Sequence, residues 1–141
     1  MNWKIPLADL DFGTEESTAV QDVLNSRWLT MGEVTQQFEQ AFAQYNQVKH
    51  AIAVANGTAA LHLACAAIGL GRGDEVITPA LTFVATANAI RYTGATPVFA
   101  DVVSPTDLTI SPEAIENLIT ERTKAIMVMH YGGYACDMTA I

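Results

Sequence analysis

The segment 56–59, with the sequence NGTA, holds the residues best suited to binding an anion. An apolar, β-leaning run at 51–55 precedes it, and a helix-forming run at 59–68 follows it. A strand that turns through a glycine into a helix leaves free N–H groups at the helix start, where the helix dipole also favours a phosphate. Gly57 would let a ligand approach the backbone closely, and Thr58 offers a hydroxyl beside its N–H. The spacing fits equally well an ordinary turn in which Thr58 caps the helix.

Other candidate residues lie near the ends of predicted elements. Phe83 follows a strand predicted at 75–78, at the edge where open α/β sheets bind ligands. Its ring could stack on a flat cofactor, although the pattern alone favours a core position. Trp28 and Thr30 belong to a loop that either lines a pocket or staples two helices. His130 ends the strand predicted at 124–130 and is a candidate base, although a lone histidine is more often structural. The histidines show no metal-ligand spacing, so no metal site is predicted.

The elements that must position these residues alternate after residue 50. Residues 1–50 are predicted to be helical, with one helix capped by Thr14 and a second at 35–45. Strands are then predicted at 51–55, 75–78, 97–101 and 124–130, and helices at 58–70, at 82–92 with Gly94 as its cap, and from Ser111 and Pro112 onward. Strands that alternate with helices need crossover connections, so we predict an α/β fold with a mostly parallel sheet flanked by helices.

Composition narrows the classes of function. The chain has 141 residues, half of them hydrophobic, and a net charge of −8 without any basic cluster, which argues against a nucleic-acid partner. Turn residues interrupt the uncharged run at 51–70, so we predict no membrane helix. The N-terminus has no signal-peptide pattern, and the two distant cysteines read as free thiols. These features predict a cytoplasmic globular protein.

An ordered series of motifs resembles the N-terminal part of the DegT/DnrJ/StrS sugar aminotransferases. The series is DFGTEE, RWLTMGE, FEQAFAQY, HAIAVANGTAALHLA, GDEVITPALTFVATANAI, GATPVFADV, LTISPEAIENLITERTKAIMVMHYGG and CDMTAI, and it covers essentially the whole chain. The family comprises pyridoxal-phosphate (PLP) enzymes of the aspartate-aminotransferase fold, which is fold type I. The resemblance implies that residues 1–141 are the N-terminal part of the large domain, helical over 1–50 and alternating over 51–141.

The resemblance also implies a function and individual residue roles. The parent protein would be a homodimer that transfers an amino group, with glutamate as donor, to a keto sugar on a nucleotide carrier in amino-sugar biosynthesis. The implied cofactor-binding residues are Gly57, Thr58 and Ala59 at the PLP phosphate and Phe83 over the pyridine ring. The implied substrate-binding residues are Trp28, Thr30 and Asn88.

The family's Schiff-base lysine has no match in this chain. Lys4, Lys49 and Lys124 are its lysines, and none lies in a matching motif, although PLP chemistry needs that lysine as anchor and proton shuttle. We therefore expect the lysine beyond residue 141 and a sequence that is cut rather than finished. A PLP-dependent sugar dehydratase and a non-catalytic binding protein remain alternatives. A nucleotide-binding domain unrelated to PLP is disfavoured, because neither phosphate-loop motif is present.

Overall fold

The computed structural model describes residues 9–141, which divide into two compact units after Ala53. The first unit contains α1 (Thr14–Ser26) and α2 (Glu33–Tyr45). The second unit contains α3 (Gly57–Ala67), β1 (Glu75–Pro79), α4 (Val84–Tyr92), β2 (Thr96–Ala100), β3 (Val102–Ser104), β4 (Asp107–Ile110), α5 (Pro112–Leu118), β5 (Thr123–Ile126) and a 3₁₀ turn (Tyr131–Gly133).

The second unit is built on a parallel sheet with the strand order β2-β1-β5. The predicted α/β fold with a parallel sheet flanked by helices is confirmed. β1 lies in the middle, and all five of its residues are buried. Pro79 pairs with Ala100 of β2, and Ile77 pairs with Ile126 of β5. Because parallel strands run in the same direction, the residues that follow β1, β2 and β5 emerge at one edge, called the carboxyl edge below.

Two hydrophobic clusters cover the two faces of β1. Successive side chains of a strand point to opposite faces, so Val76 and Ile77 belong to different clusters. Val76 packs with residues on or beside α3 and α4, namely Cys65, Leu70, Ala89, Ile90 and Ala95. Ile77 packs with Ala100, Ile110, Ile115 and Cys136 on the α5 side. Burial of one such side chain contributes about 1.5–3 kcal/mol, so these clusters hold the helices on the sheet.

A charged cluster fastens β5 at the opposite, amino end of β1. Glu75 is almost fully buried, and one of its carboxylate oxygens lies 2.5 Å from the Arg122 guanidinium. The hydroxyl of Thr120 donates to the other oxygen at 2.6 Å. Buried carboxylates are tolerated when they are paired and hydrogen-bonded in this way. The cluster therefore fixes the start of β5 and, through it, the residues that follow β5 at the carboxyl edge.

The ends of the helices confirm two predictions and correct a third. Ser111 caps α5 by accepting the N–H of Ala114 at 3.2 Å, and Gly94, with φ +90°, follows the last turn of α4. Thr14 does not cap α1, because it is already the first helical residue and Gly13 holds the cap position. The Glu16 carboxylate accepts the N–H of Gly13 at 2.7 Å, and such backbone hydrogen bonds lower the pKa of Glu16.

Two predicted strands need correction. Residues 51–55 form no strand, since no strand of the part the structure describes pairs with them. The N–H of Ala53 instead donates to the Glu39 carboxylate at 2.7 Å. A sequence with strand propensity forms a strand only where a neighbouring strand supplies backbone hydrogen bonds. In this segment a backbone N–H bonds a side chain instead. The strand predicted at 124–130 is shorter, Thr123–Ile126, although the N–H of Met127 still bonds Ile77 of β1 at 2.8 Å.

The antiparallel pair β3–β4 was missing from the prediction. Its turn is held by the Ser104 hydroxyl, which accepts the N–H groups of Thr106 and Asp107 at 3.2 and 3.0 Å. The four-residue sequence SPTD at 104–107 is typical of a turn, so the signal was present. The strands on either side are too short to show the alternation that identifies a hairpin.

Candidate functional site

The first turn of α3 is organised by Asn56 rather than by Thr58. The Asn56 side-chain oxygen accepts the N–H of Ala59 at 2.9 Å, and its backbone is extended, as a cap residue requires. Its carbonyl accepts the N–H of Ala60 at 3.1 Å. The alternative in which Thr58 caps the helix is therefore wrong. We call residues 56–59 the α3 turn.

This cap leaves a defined set of donors open in the α3 turn. The N–H groups of Gly57 and Thr58 and the Thr58 hydroxyl have no hydrogen-bond partner among residues 9–141. A Cβ added at Gly57 would meet no atom within 4 Å, so open space borders this backbone. α3 has no acidic residue in its first turn, whereas α1, α2 and α5 each carry one or more. The positive end of the α3 dipole is thus not neutralised by the helix itself.

Phe83 stands out of the core at the carboxyl edge. It holds the cap position of α4, after the end of β1, and its carbonyl accepts the N–H of Thr86 at 3.0 Å. Its side chain is 72% exposed. The core position that the sequence pattern favoured for Phe83 is therefore wrong. A large aromatic ring that faces outward at this edge is free to cover one face of a flat ligand.

Side-chain contacts link the segment that follows β1 to the segment that follows β5 at the carboxyl edge. The Thr82 hydroxyl lies 2.8 Å from the Thr86 hydroxyl and 3.3 Å from the Met129 sulfur. The residues immediately before Phe83 and His130 are therefore in contact. His130 is exposed, and its Nδ1 accepts the N–H of Cys136 at 3.0 Å.

The substrate-binding residues predicted from the resemblance lie in both units. Asn88 is half-buried on α4, the helix that Phe83 precedes. Trp28 and Thr30 belong to the first unit, where they line a groove of about 970 Å³ together with Met31 and neighbouring residues. The Trp28 indole N–H donates to the carbonyl of Met31 at 3.1 Å. A Cβ at Gly32 would lie 2.5 Å from the indole nitrogen, so any larger residue there would force the Trp28 side chain to move. Trp28 itself is 63% exposed in this groove.

A second cavity, of about 560 Å³, was not predicted from the sequence. It lies beside the β3–β4 pair, and its lining includes Asp107, Thr109, Tyr131 and Tyr134. The Thr109 hydroxyl and N–H both donate to the Asp107 carboxylate, at 2.7 and 3.0 Å, and they lower the pKa of Asp107. Because the sequence pattern does not predict the β3–β4 hairpin, it also does not predict that these residues come together.

Two further findings concern the described residues, 9–141. No group of three or more histidine, cysteine, aspartate or glutamate side chains there could hold a metal ion. No helix there is long and apolar enough to cross a membrane.

Comparison with known proteins identifies the family. The model of the DegT/DnrJ/EryC1/StrS aminotransferase family matches residues 11–141. The chain belongs to this family. The family match includes the α3 turn, Phe83 and His130, so the carboxyl edge lies within the shared domain.

Solved structures of family members share the fold. A Streptococcus pneumoniae protein described as a sugar aminotransferase, solved in PLP and PMP forms, is 34% identical, with a TM-score of 0.91 over 98% of this chain and 35% of its own. DesV of S. venezuelae is 38% identical, with a TM-score of 0.84 over 90% of this chain and 34% of its own. An aminotransferase of Psychrobacter cryohalolentis is 43% identical, with a TM-score of 0.84 over 92% and 33%. The chain thus spans about a third of these proteins' length.

The cap of α3 gives a first prediction. Asn56→Ala removes the bond to the Ala59 N–H and should lower the free energy of unfolding by about 1 kcal/mol. Thr58→Ala, the matched control in the same turn, removes no capping bond and should change it by less than about 0.5 kcal/mol. Urea titrations followed by circular dichroism measure both. The reverse order of effects would restore Thr58 as the cap.

The exposure of Phe83 gives a second prediction. Phe83→Ala should change the stability of the cofactor-free protein by less than about 0.5 kcal/mol, because the ring is mostly in water already. Ile90→Ala, in the same helix but fully buried, should cost about 2–5 kcal/mol. Denaturant melts of the two cofactor-free variants compare them directly. A loss of about 3 kcal/mol or more at Phe83 would show that its ring is part of the core.

Proposed function

We propose that the protein is a PLP-dependent aminotransferase that acts on a keto sugar carried by a nucleotide, with glutamate as the amino donor. The activity is a property of the whole protein, of which this chain would supply the phosphate-binding turn and the aromatic cover of the cofactor ring. The pathway would be the biosynthesis of amino sugars. Membership of an aminotransferase family and the likeness to sugar aminotransferases support this proposal.

The observation that carries the proposal is the set of open donors in the α3 turn. A phosphate monoester brings several acceptor oxygens and a charge near −2, and the turn offers two N–H groups and the Thr58 hydroxyl. The open space beside Gly57 leaves room for the phosphate against the backbone. The Ala59 N–H is engaged by Asn56, so the proposed part of Ala59 is its small side chain, which keeps access open. These residues fit the phosphate group of PLP.

The other candidate residues of this chain would bind and orient the cofactor ring and the substrate. When bound, PLP supplies an electron sink for negative charge at the carbon that bears the amino group. Phe83 would cover one face of its ring and keep water away from that face. Asn88, Trp28 and Thr30 are proposed to contact the sugar-nucleotide substrate. Trp28 and Thr30 line a groove of about 970 Å³, a volume within the range of small-molecule sites.

We further propose that the Schiff-base lysine lies outside these 141 residues. Lys124 is the second residue of β5, near the amino end of the strand and opposite the carboxyl edge where Phe83 stands. Lys49 follows α2 in the first unit, and Lys4 lies outside the described residues. A lysine at the reactive position would support aminotransfer, whereas a histidine there would support the related dehydratase reaction.

Reduction with borohydride tests the placement of the lysine. The whole protein, loaded with PLP and reduced, should yield one stoichiometric adduct on a lysine other than Lys4, Lys49 and Lys124, because only a positioned lysine holds the cofactor covalently. Peptide mapping by mass spectrometry locates the adduct. A single adduct on one of these three lysines, together with turnover of an amino donor, would refute the proposal.

A substitution at Thr58 tests the phosphate-binding turn. Thr58→Val keeps the shape and the backbone N–H but removes the hydroxyl, so PLP affinity should fall by about 1.5–3 kcal/mol. The dissociation constant is measured by fluorescence titration of the cofactor-free protein. Thr106→Val, an exposed threonine in the β3–β4 turn, is the control and should leave it unchanged. Equal constants for wild type and Thr58→Val would mean that the hydroxyl does not touch the phosphate.

We also propose a cytoplasmic homodimer as the working form. Large apolar side chains that stand exposed along α1 and α2, including Leu24, Phe38 and Phe42, are consistent with further packing partners. Sedimentation equilibrium of the whole protein measures the assembly, and a stable monomer across a concentration series would contradict it.

A further inference from the structure

We propose that Asn56 is a site of spontaneous deamidation through the amide nitrogen of Gly57, open in the cofactor-free protein and protected when PLP occupies the α3 turn. The modification is a property of this chain alone, whereas its protection by PLP rests on the proposed function. The reaction consumes only water.

Asn56 is the one asparagine of the chain that precedes a glycine. Deamidation begins when the backbone nitrogen of the following residue attacks the side-chain amide carbon. A following glycine favours this step, because it has no Cβ to crowd the attack and its backbone rotates freely. Asn56 and Gly57 are both exposed, and a Cβ added at Gly57 would meet no atom within 4 Å. The surroundings therefore add no obstruction to the reaction.

The bonds that change are confined to these two residues. The Gly57 nitrogen loses its proton and forms a bond to Cγ of Asn56, while the bond from Cγ to the side-chain nitrogen breaks and ammonia leaves with a proton. The product is a cyclic imide. Water then opens one of the two ring C–N bonds next to a carbonyl, which yields either aspartate or isoaspartate at position 56. No oxidant or reductant takes part.

The α3 turn leaves the attacking nitrogen free and activates the carbon that it attacks. The Gly57 N–H has no hydrogen-bond partner among residues 9–141, so solvent can remove its proton. The Asn56 side-chain oxygen accepts the N–H of Ala59 at 2.9 Å. This donor stabilises the negative charge that develops on the oxygen during the attack, and the positive end of the α3 dipole acts in the same direction.

One movement is still required, and it links the reaction to occupancy of the turn. The backbone of Asn56 is extended, with ψ 170°, and ring closure needs a large rotation there to bring the Gly57 nitrogen to Cγ. This rotation opens the first turn of α3, as helix ends do more readily than the core. A phosphate bound to the N–H groups of Gly57 and Thr58 would keep the turn closed and engage the attacking nitrogen. Protection should therefore follow the bound fraction.

Incubation of the whole, cofactor-free protein at mildly alkaline pH tests the site, with peptide mapping by mass spectrometry as the readout. The peptide that contains Asn56 should acquire the mass of the acid at least about tenfold faster than those with the exposed Asn25 and Asn46, which precede residues with a Cβ. The rate should rise with pH, because the attacking nitrogen must lose its proton.

Gly57→Ala is the matched variant for the cofactor-free protein. Its added Cβ meets no neighbour, and Gly57 is not among the residues with positive φ, so the helix start is preserved. Conversion of Asn56 should slow about tenfold, because the methyl group crowds the attack. Circular dichroism checks that the variant keeps its helices. Equal rates in wild type and Gly57→Ala would contradict attack by this nitrogen.

Occupancy is tested with PLP as the probe in the same incubation. Saturating PLP should slow the conversion of Asn56 about tenfold or more and leave Asn25 unchanged. Pyridoxal, which lacks the phosphate, should protect much less. Asn56→Asp, which mimics one product, should weaken PLP binding about tenfold, because it sets a second negative charge beside the proposed phosphate position.

The outcomes separate the inference from the proposed function. If Asn56 of the cofactor-free protein is converted no faster than Asn25, the modification site is wrong. If titration shows that PLP binds, yet the conversion of Asn56 is unchanged, the protection is wrong. If PLP does not bind to wild type, the proposed function fails and the protection fails with it, whereas the rate in the cofactor-free protein still decides the modification site.

Discussion

Parallel pairing of β1 with both β2 and β5 is the constraint on which the site depends. The ladder aligns Pro79 with Ala100 and Ile77 with Ile126, so the segments after these strands emerge together. Phe83 and His130 are far apart in sequence, yet only this alignment lets Thr82 contact Met129. The ion pair of Glu75 supports the alignment from the other end of the sheet, since it fixes where β5 begins. Site and core are therefore consequences of the same strand register.

The cap of α3 shows how one side chain selects which backbone groups a ligand can use. A helix start leaves several N–H groups unbonded, and Asn56 takes that of Ala59 for itself. What remains open is the pair at Gly57 and Thr58, beside the only residue of the turn without a Cβ. A cap at Thr58 would instead have used the hydroxyl that the proposed phosphate contact needs. Stability and the proposed phosphate contact would thus draw on different donors of one turn.

The sequence predicted those elements whose signals are local or strongly periodic. The cap at Ser111, the break at Gly94 and the buried strand from Glu75 are examples, because a side chain or a short apolar run determines each of them. It failed where the outcome depends on a distant partner. Residues 51–55 have strand propensity but no ladder, and the exposure of Phe83 follows from where α4 lies on the sheet rather than from its own neighbours. The contact of His130 with Cys136 requires the chain to fold back on itself, and no periodic pattern in the sequence indicates such a fold.

The overall charge of the chain does not oppose an anion at the α3 turn. The net charge of −8 is spread over the surface and is screened within about 8 Å at physiological salt. α3 itself contains no charged side chain, so the field at its first turn comes from its own backbone donors at hydrogen-bonding distance. Short-range donors therefore prevail over a diffuse negative charge. A proposed site made largely from backbone N–H groups also explains why its motif is weak when read alone, because many sequences form such a turn.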